Sequence, residues 1–341
     1  MKKYLLPQNG NFYKANLHCH TTCSDGKLSP EEVKDLYKAN GYSIVAYTDH
    51  DILLSHSYLD DENFLALHGY EMEFNDNKTN SWLANKTCHM CFIALDPNNM
   101  TQVCYHREWY LFANAQNFKN KIKFDENSPD FVRYYTPKCI NEAMNTAREK
   151  GFFVTYNHPT WSREDYSDYS NYNGMHAMEI INGSCVVAGF DDYNERVYED
   201  ILRAGKRIYC IAADDNHNNH LTPSRHSDSC IGFTVIKAPT LEYKAITNAL
   251  INGEFYASDG PEIKELWYEN GKIHISCSNA DKITLSCGIR RSCATYAKRG
   301  ESLTEADFEV RENDGFVRLT VYDQKGKRAY TNAYFVDELM K

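Results

Sequence analysis

The sequence predicts an α/β fold: a parallel sheet, closed as a barrel or left open, followed by a small antiparallel β-sandwich. Three observations carry this. One grammar recurs through residues 1–262: helix, glycine, short apolar strand, then polar residues. Titratable side chains follow those strands, the arrangement of a site built at the carboxyl ends of barrel or open-sheet strands. From about residue 263 the pattern changes to short alternating strands parted by turn residues, as in a sandwich.

The elements follow in order. In "SPEEVKDLYKANGYSIVAYTDHD", Ser29 can cap a helix, Pro30 suits its first position and Glu32 completes a capping box. Gly41 is placed to stop that helix, and "SIVAYT" is the strand. "TPKCINEAMNTAREKGFFVTYNHP" repeats the unit, with Thr136 and Pro137 at the start, Gly151 at the stop and "FFVTY" as strand. "DDYNERVYEDILRAGKRIYCIAADDNH" does so again, with Gly205 and "RIYCIAA", and so does "TLEYKAITNALINGEFYAS", with Gly253. Strands alternating with helices imply parallel pairing and right-handed crossovers. Residues from about 97 to 135 break the grammar, being rich in Asn and aromatics without a clean period. A stretch of that length inside an α/β unit reads as an insertion with its own short elements, a candidate lid. Beyond 263, "KIHISCS", "KITLSCGI", "RSCATYAKRG", "DFEVRE", "FVRLTVYD" and "RAYTNAYFVDEL" alternate, separated by "ENGK", "ENDG" and "DQKGK". The expected units are therefore 1–262, with the insertion, and 263–341.

Composition narrows the function. The chain is 42% hydrophobic and 25% charged, with net charge -10, which argues against duplex nucleic-acid or anionic-membrane binding. The apolar stretch of "MKKYLLPQNG" is too short for a signal-peptide core, and no apolar run approaches the roughly 18 residues of a bilayer span. A cytoplasmic location is expected, with the 12 cysteines mostly reduced. "CHMC" (Cys88, Cys91) is a single CxxC without a second pair at zinc-ribbon spacing, so buried thiols are the expectation there.

The strand ends carry the chemistry. In "LHCHTTCSDGKLSPEE", His18 and His20 are two apart, so an extended segment points both to one face and Cys19 away. Asp25 follows, in an Asp-Gly pair that also reads as a turn. "YTDHD" places Asp49 and His50 directly after an apolar strand. "LHGYEMEF" offers Glu71 and Glu73, "TCHMCFIAL" holds His89 inside an apolar strand, and "YNHPTW" puts His158 at a strand end. "AADDNHNN" ends the series with Asp215 and His217.

These motifs, "LHCHTTCSDGKLSPEE", "TDHD", "GYE", "CHM", "NHP" and "DDNH", in this order, resemble those of the polymerase and histidinol phosphatase (PHP) superfamily. The tail "VRLTVYDQKGKRAYTNAYF" also resembles the carboxyl-terminal strands of many stand-alone members. The resemblance implies a distorted (β/α)7 barrel holding a trinuclear metal site at its mouth, and hydrolysis of phosphate esters. It implies nine ligands: His18, His20, Glu71 and Asp215 for one ion, Asp25, His50 and His217 for a second, and Glu71, His89 and His158 for a third, with Glu71 bridging. Imidazole with carboxylate suits two to three divalent Mn, Fe or Zn ions rather than Ca or Mg. Three carboxylates against three such ions leave a formal charge of about +3, able to hold a phosphate dianion in an acidic protein. The chain departs from the commoner pattern at Cys19, at "AADD" in place of "GSDA", and in the insertion.

The implied mechanism is attack on phosphorus by a hydroxide shared between two ions, with cations neutralising the phosphoryl oxygens. Arg225 is the first choice for a phosphate clamp and Arg163 the second, each with a surface position as its alternative. Asp49 is expected to orient a ligand histidine or a metal-bound water, and His226 is a candidate proton donor beside Arg225. His56, His68, His106, His176, His220 and His274 carry no assignment. The substrate expected is a small phosphate ester or nucleotide. Two other readings stand beside it: a carboxylester, amide or carbamate hydrolase using the same metals, and a non-catalytic metal-binding module.

Overall fold

The computed structural model describes residues 2–341. The fold is mixed α/β. One large sheet runs through most of the chain, and a four-stranded antiparallel sheet packs on its far end. Seven strands carry the functional end: β1 (Asn11–Asn16), β2 (Ile44–Tyr47), β3 (Leu65–Asn75), β4 (Thr87–Ala94), β5 (Phe152–Asn157), β6 (Ala177–Asn182) and β7 (Tyr209–Ala213). They lie side by side in chain order, and β8 (Phe233–Ala238) and β9 (Phe255–Ser258) extend the sheet beyond β1. All the β1–β7 strands except β1 are buried along nearly their whole length, which is why they read as apolar runs rather than as alternation.

Local chemistry starts and stops the helices as expected. At α1 (Pro30–Ala39) the Glu32 amide donates to Ser29 Oγ at 3.2 Å and the Ser29 amide to Glu32 Oε2 at 2.8 Å. Thr136 caps α2 (Pro137–Glu149) through the Cys139 amide. Helix α3 (Glu195–Arg203) precedes β7, and α4 (Tyr243–Asn252) ends at Gly253 with φ of 72°. A Cβ on Gly253 would stand 2.5 Å from the Tyr209 ring, so both backbone sign and space require glycine there.

Two expectations are corrected. The sheet is not wholly parallel: β4 runs antiparallel to both β3 and β5, and β8 antiparallel to β1. Between β3 and β4 the chain makes only a turn, residues 76–86, containing a short 3-10 segment, Trp82–Ala84, and a connection too short to cross the sheet returns the strand antiparallel. The carboxyl-terminal strands are also not merely appended. Arg328–Thr331 pairs with β9, so the large sheet continues into Phe316–Tyr322, Lys282–Cys287 and Ser292–Tyr296. The second sheet, of Ile263–Glu269, Lys272–Ala280, Leu303–Glu309 and Lys3–Tyr4, covers its face. Their common core includes Ile273, Ile275, Leu285, Leu319 and Val321, all fully buried, together with Val235 and Tyr256 of the first strands. Ion pairs from Arg318 to Glu199 at 2.6 Å and from Arg328 to Glu195 at 3.2 Å tie the same strands to α3.

At the other edge, β7 approaches β8 without a shared backbone ladder among the described residues. Side chains span the gap instead. The Ala212 amide donates to Thr234 Oγ1 at 3.1 Å, and that hydroxyl donates to the Ala212 carbonyl at 2.9 Å. No described helix is long and apolar enough to cross a membrane.

Residues 97–135 hold a two-residue parallel pair, Thr101–Gln102 with Lys123–Phe124, and a 3-10 segment, Ala113–Lys121. The segment lies against the loop after β1, where the Asn114 amide donates to the Ser24 carbonyl at 3.0 Å. Its far end is pinned by Glu164, which is buried and accepts hydrogen bonds from Tyr156 at 2.6 Å, Tyr135 at 2.9 Å and Tyr172. Burial raises the Glu164 carboxyl from 4.5 to about 7, against the opposing effect of the three hydroxyls. A raised folded-state value means that the folded protein holds this proton more tightly than the unfolded chain does. The neutral form therefore stabilises fully below pH 4.5, and that contribution is lost as pH rises through about 7. Glu164→Gln is expected to remove a loss of about 3 kcal/mol over that interval. Urea denaturation of both proteins at pH 5 and pH 8 checks it, and parallel pH profiles would refute it.

Candidate metal centre

The segment after β1 stays extended. A bridge between Cys19 and Asn216, and the Cys19 amide on Thr48 Oγ1 at 2.9 Å, hold it between β2 and the end of β7. Cys19 then packs into the core against Val33 and Tyr37, and His18 and His20 point the other way, both fully buried. Asp49 shapes the loop that follows. Its carboxylate accepts the Thr21 amide at 2.8 Å, the Thr21 hydroxyl at 2.8 Å and the Ser24 hydroxyl at 2.7 Å. This holds Asp25 opposite His217, 3.3 Å from its Nε2. Asp49 thus works on the loop carrying Asp25, and none of the clustered histidines is among its hydrogen-bond partners.

Glu71, on β3, is the centre of the arrangement. Five imidazoles aim a ring nitrogen at its carboxylate: His18 at 3.2 Å, His20 at 3.3 Å, His50 at 3.3 Å, His89 at 3.2 Å and His158 at 3.4 Å. Asp215 Oδ1 lies 3.2 Å from His18 Nε2 and 3.0 Å from His20 Nε2. All nine side chains come together. Their donor atoms form three groups, each within 4.8 Å: His20, Asp25, His50 and His217; His18, His20, Glu71 and Asp215; and Glu71, His89 and His158. Glu71 belongs to two of these groups, and so does His20.

The electrostatics call for positive charge at this point. Burial opposes ionisation of Glu71, yet His18 and His89 hold its carboxyl well below the usual range. Burial likewise opposes protonation of His18 and His20, yet Asp215 and Glu71 raise both well above the usual imidazole range. His50 goes the other way, pushed down to about 4 by burial and by His20. The Nε2 atoms of His18 and His20 lie only 3.1 Å apart, and the buried Nδ1 of His20 has no hydrogen-bond partner among the described residues. Converging nitrogen and oxygen lone pairs, some unpartnered, are what divalent cations resolve, and the donor set fits borderline transition metals.

Sequence reasoning passed over two residues. Glu179, on β6, takes the His18 Nδ1 hydrogen at 2.7 Å and accepts the His158 amide at 2.9 Å. It sets the His18 tautomer and leaves Nε2 free to ligate. A lone glutamate inside the apolar run "AMEII" was the signal. Arg133, in the insertion, is buried against Asp51 and donates to the Glu73 carbonyl at 3.2 Å. Nothing in the sequence separates it from a surface arginine.

Arg225, His226 and Arg163 are not brought to the site. All three are exposed, and His226 lies beside His220 instead, the rings tilted with centroids 5.5 Å apart. From that placement, Arg225→Ala is expected to change kcat/KM on any substrate by less than about threefold, within the span of ordinary surface substitutions. A tenfold loss on phosphate esters alone would restore the clamp. Cys88 and Cys91 are both buried and three apart on β4, which sends their side chains to opposite faces. Cys91 meets Asn157 at 3.1 Å, so the CxxC is no metal pair.

The cluster opens onto a cavity of about 530 Å³ walled by Trp82, Phe112 and Trp161, with Asn75 and Glu73 beside them. No protein-family model matches the chain, and no curated protein does. Among solved structures, a two-domain protein from Bacteroides vulgatus containing a predicted PHP-like metal-dependent phosphoesterase is 16% identical, covers 97% of this chain and 98% of its own, and gives a TM-score of 0.45. A candidate metal-dependent phosphoesterase from Bifidobacterium adolescentis is 15% identical over 63% of this chain and 93% of its own, with a TM-score of 0.39. An amidohydrolase from Chromobacterium violaceum, with bound sulfate and no metal, is 16% identical over 60% and 87%, with a TM-score of 0.37. The chain resembles the PHP superfamily. The PHP resemblance is carried by the six ordered motifs.

Proposed function

We propose that the chain is a metal-dependent phosphoesterase acting on a small phosphate ester or nucleotide. The observation that supports it best is the convergence of five imidazoles and Asp215 on the buried Glu71 carboxylate. In this reading the nine side chains hold two to three Mn, Fe or Zn ions in the groups described above. Such ions, when bound, would supply Lewis acidity and bring the pKa of a coordinated water towards ~7. Glu71 offsets cationic charge on two sides. Glu179 fixes the His18 tautomer, and Asp49 holds Asp25 in reach. Arg225, Arg163 and His226 have no part in it. We also read β1–β7 as a distorted barrel with its seam between β7 and β8, and divide the chain at 262/263 despite the continuous sheet.

One observation favours a second reading. Among the described residues, those lining the cavity include no lysine or arginine. A neutral carboxylester or amide needs none, so a carbonyl-directed hydrolase is the alternative. A phosphatase panel beside an aryl-ester panel, both with added Mn, separates the two. Two to three metals per chain are expected by elemental analysis of protein purified without chelator. A value near zero that persists after Mn or Zn is supplied would sink both readings. Bound metal with no turnover on either panel would favour a non-catalytic module.

A further inference from the structure

We infer that the part of the substrate carried on the phosphoryl group is a planar aromatic ring, held between Trp161 and Phe112 with Trp82 at the rim. The inference rests on the phosphoesterase reading for the phosphoryl half alone. Three rings come to one opening from three separate segments: Trp82 from the β3–β4 turn, Phe112 from the insertion and Trp161 from the loop after β5. Trp161 stands on one side of the cluster, its ring centroid 5.0 Å from His158 and 5.4 Å from His89. Phe112 stands on the other, edge-on to His50 at 5.5 Å. No two of the three rings pack on each other among the described residues, so the space between them is open.

Their exposure is the second point. Trp82 is 70% exposed and Phe112 50%. Phe112 is outside the small core beneath the insertion, which Ala115 and Ile122 build with Ile52 of the loop after β2. Large rings left wet around one cavity mark a ligand surface rather than packing.

Charge narrows the ligand further. Arg133, whose guanidinium donates to the carbonyl of the lining residue Glu73, is already taken by Asp51. With no lysine or arginine among the described residues of the cavity wall, a second phosphate of a nucleoside di- or triphosphate would be desolvated without a partner. One phosphoryl group at the nine-residue cluster and an uncharged planar ring beyond it match the walls. Aromatic faces would stack on such a ring in the offset or edge-on arrangements that ring quadrupoles favour.

The test uses Mn-loaded full-length protein and three phosphonates that carry no ester bond: benzyl-, cyclohexylmethyl- and ethylphosphonate. Binding is read by calorimetry and by quenching of indole fluorescence. Benzylphosphonate is expected to bind about tenfold more tightly than ethylphosphonate and about threefold more tightly than cyclohexylmethylphosphonate. Phe112→Leu and Trp161→Ala should each cut the benzyl-to-ethyl ratio about threefold or more, with metal content measured to show that the cluster is intact. Phe112 lies on the insertion, so Phe112→Leu remains informative if Trp161→Ala fails to fold. Equal affinity for the benzyl and cyclohexylmethyl compounds, or ratios unmoved in the variants, would overturn the inference. Benzyl phosphate and ethyl phosphate turnover then separate the two ideas. Ring-selective binding without hydrolysis of either ester defeats the phosphoesterase reading alone, and hydrolysis without ring preference defeats this one alone.

Discussion

Glu71→Gln is expected to lower kcat/KM by roughly 10³-fold or more, on the scale of removing a preorganised charged group from a catalytic site, while leaving the fold intact. The carboxylate faces five imidazole nitrogens between 3.2 and 3.4 Å away. It is the one group common to the cluster around His18 and the cluster around His89. A neutral amide keeps the volume but brings no charge and puts an NH2 where an acceptor is required. Asn157 Nδ2 already donates to Glu71 Oε1 at 2.9 Å, so whichever way the glutamine turns, one donor faces others. Metal content should fall together with activity, and the thermal unfolding transition should persist. Turnover on the best panel substrate, elemental analysis and circular dichroism on one preparation check all three. Unchanged turnover would mean that the cluster around Glu71 is not the working site.

The second large effect is on stability. Arg133→Met is expected to cost about 3–5 kcal/mol, because it leaves the buried Asp51 carboxyl without its cation. Arg133 comes from the insertion and Asp51 from the loop that carries His50, so the pair fastens the insertion to the rim of the site. Burial raises Asp51 to about 6 even with the guanidinium opposing that shift, a measure of how strongly this place penalises a bare charge. The double variant Asp51→Asn with Arg133→Met should recover a large part of the loss, since no lone charge remains buried. Urea denaturation of the two single variants and the double variant gives the coupling directly. Limited proteolysis within residues 97–135 should quicken in Arg133→Met. A cost below about 1 kcal/mol, the range of exposed pairs, would show that the pair is in effect solvated.

What the sequence determined by itself was local or periodic. Ser29, Pro30 and Glu32 start α1, because a capping box is made of groups three residues apart and needs nothing else. His18 and His20 share a face because side chains in an extended segment alternate. The placing of His50, His158, Asp215 and His217 after strands was equally readable, since strand ends are marked by the loss of apolar residues. The strand-to-turn rhythm after residue 263 identified sheet structure for the same reason.

Only the tertiary structure decided the rest. Strand direction depends on whether a connection can cross the sheet, and the composition of residues 76–86 does not announce that β4 turns back. Glu179 and Arg133 became important through partners 161 and 82 residues away in the chain, and no local pattern encodes such pairings. Arg225 follows the Asp215–His217 pair closely, yet its loop leaves it in water. Proximity along the chain is not proximity in space once the backbone is free to turn outward. The continuity of the sheet from β9 into Arg328–Thr331 was invisible for the same physical reason: hydrogen-bonded neighbours are chosen by closure of the whole fold, and the energy that selects them is spread over side chains far apart in sequence.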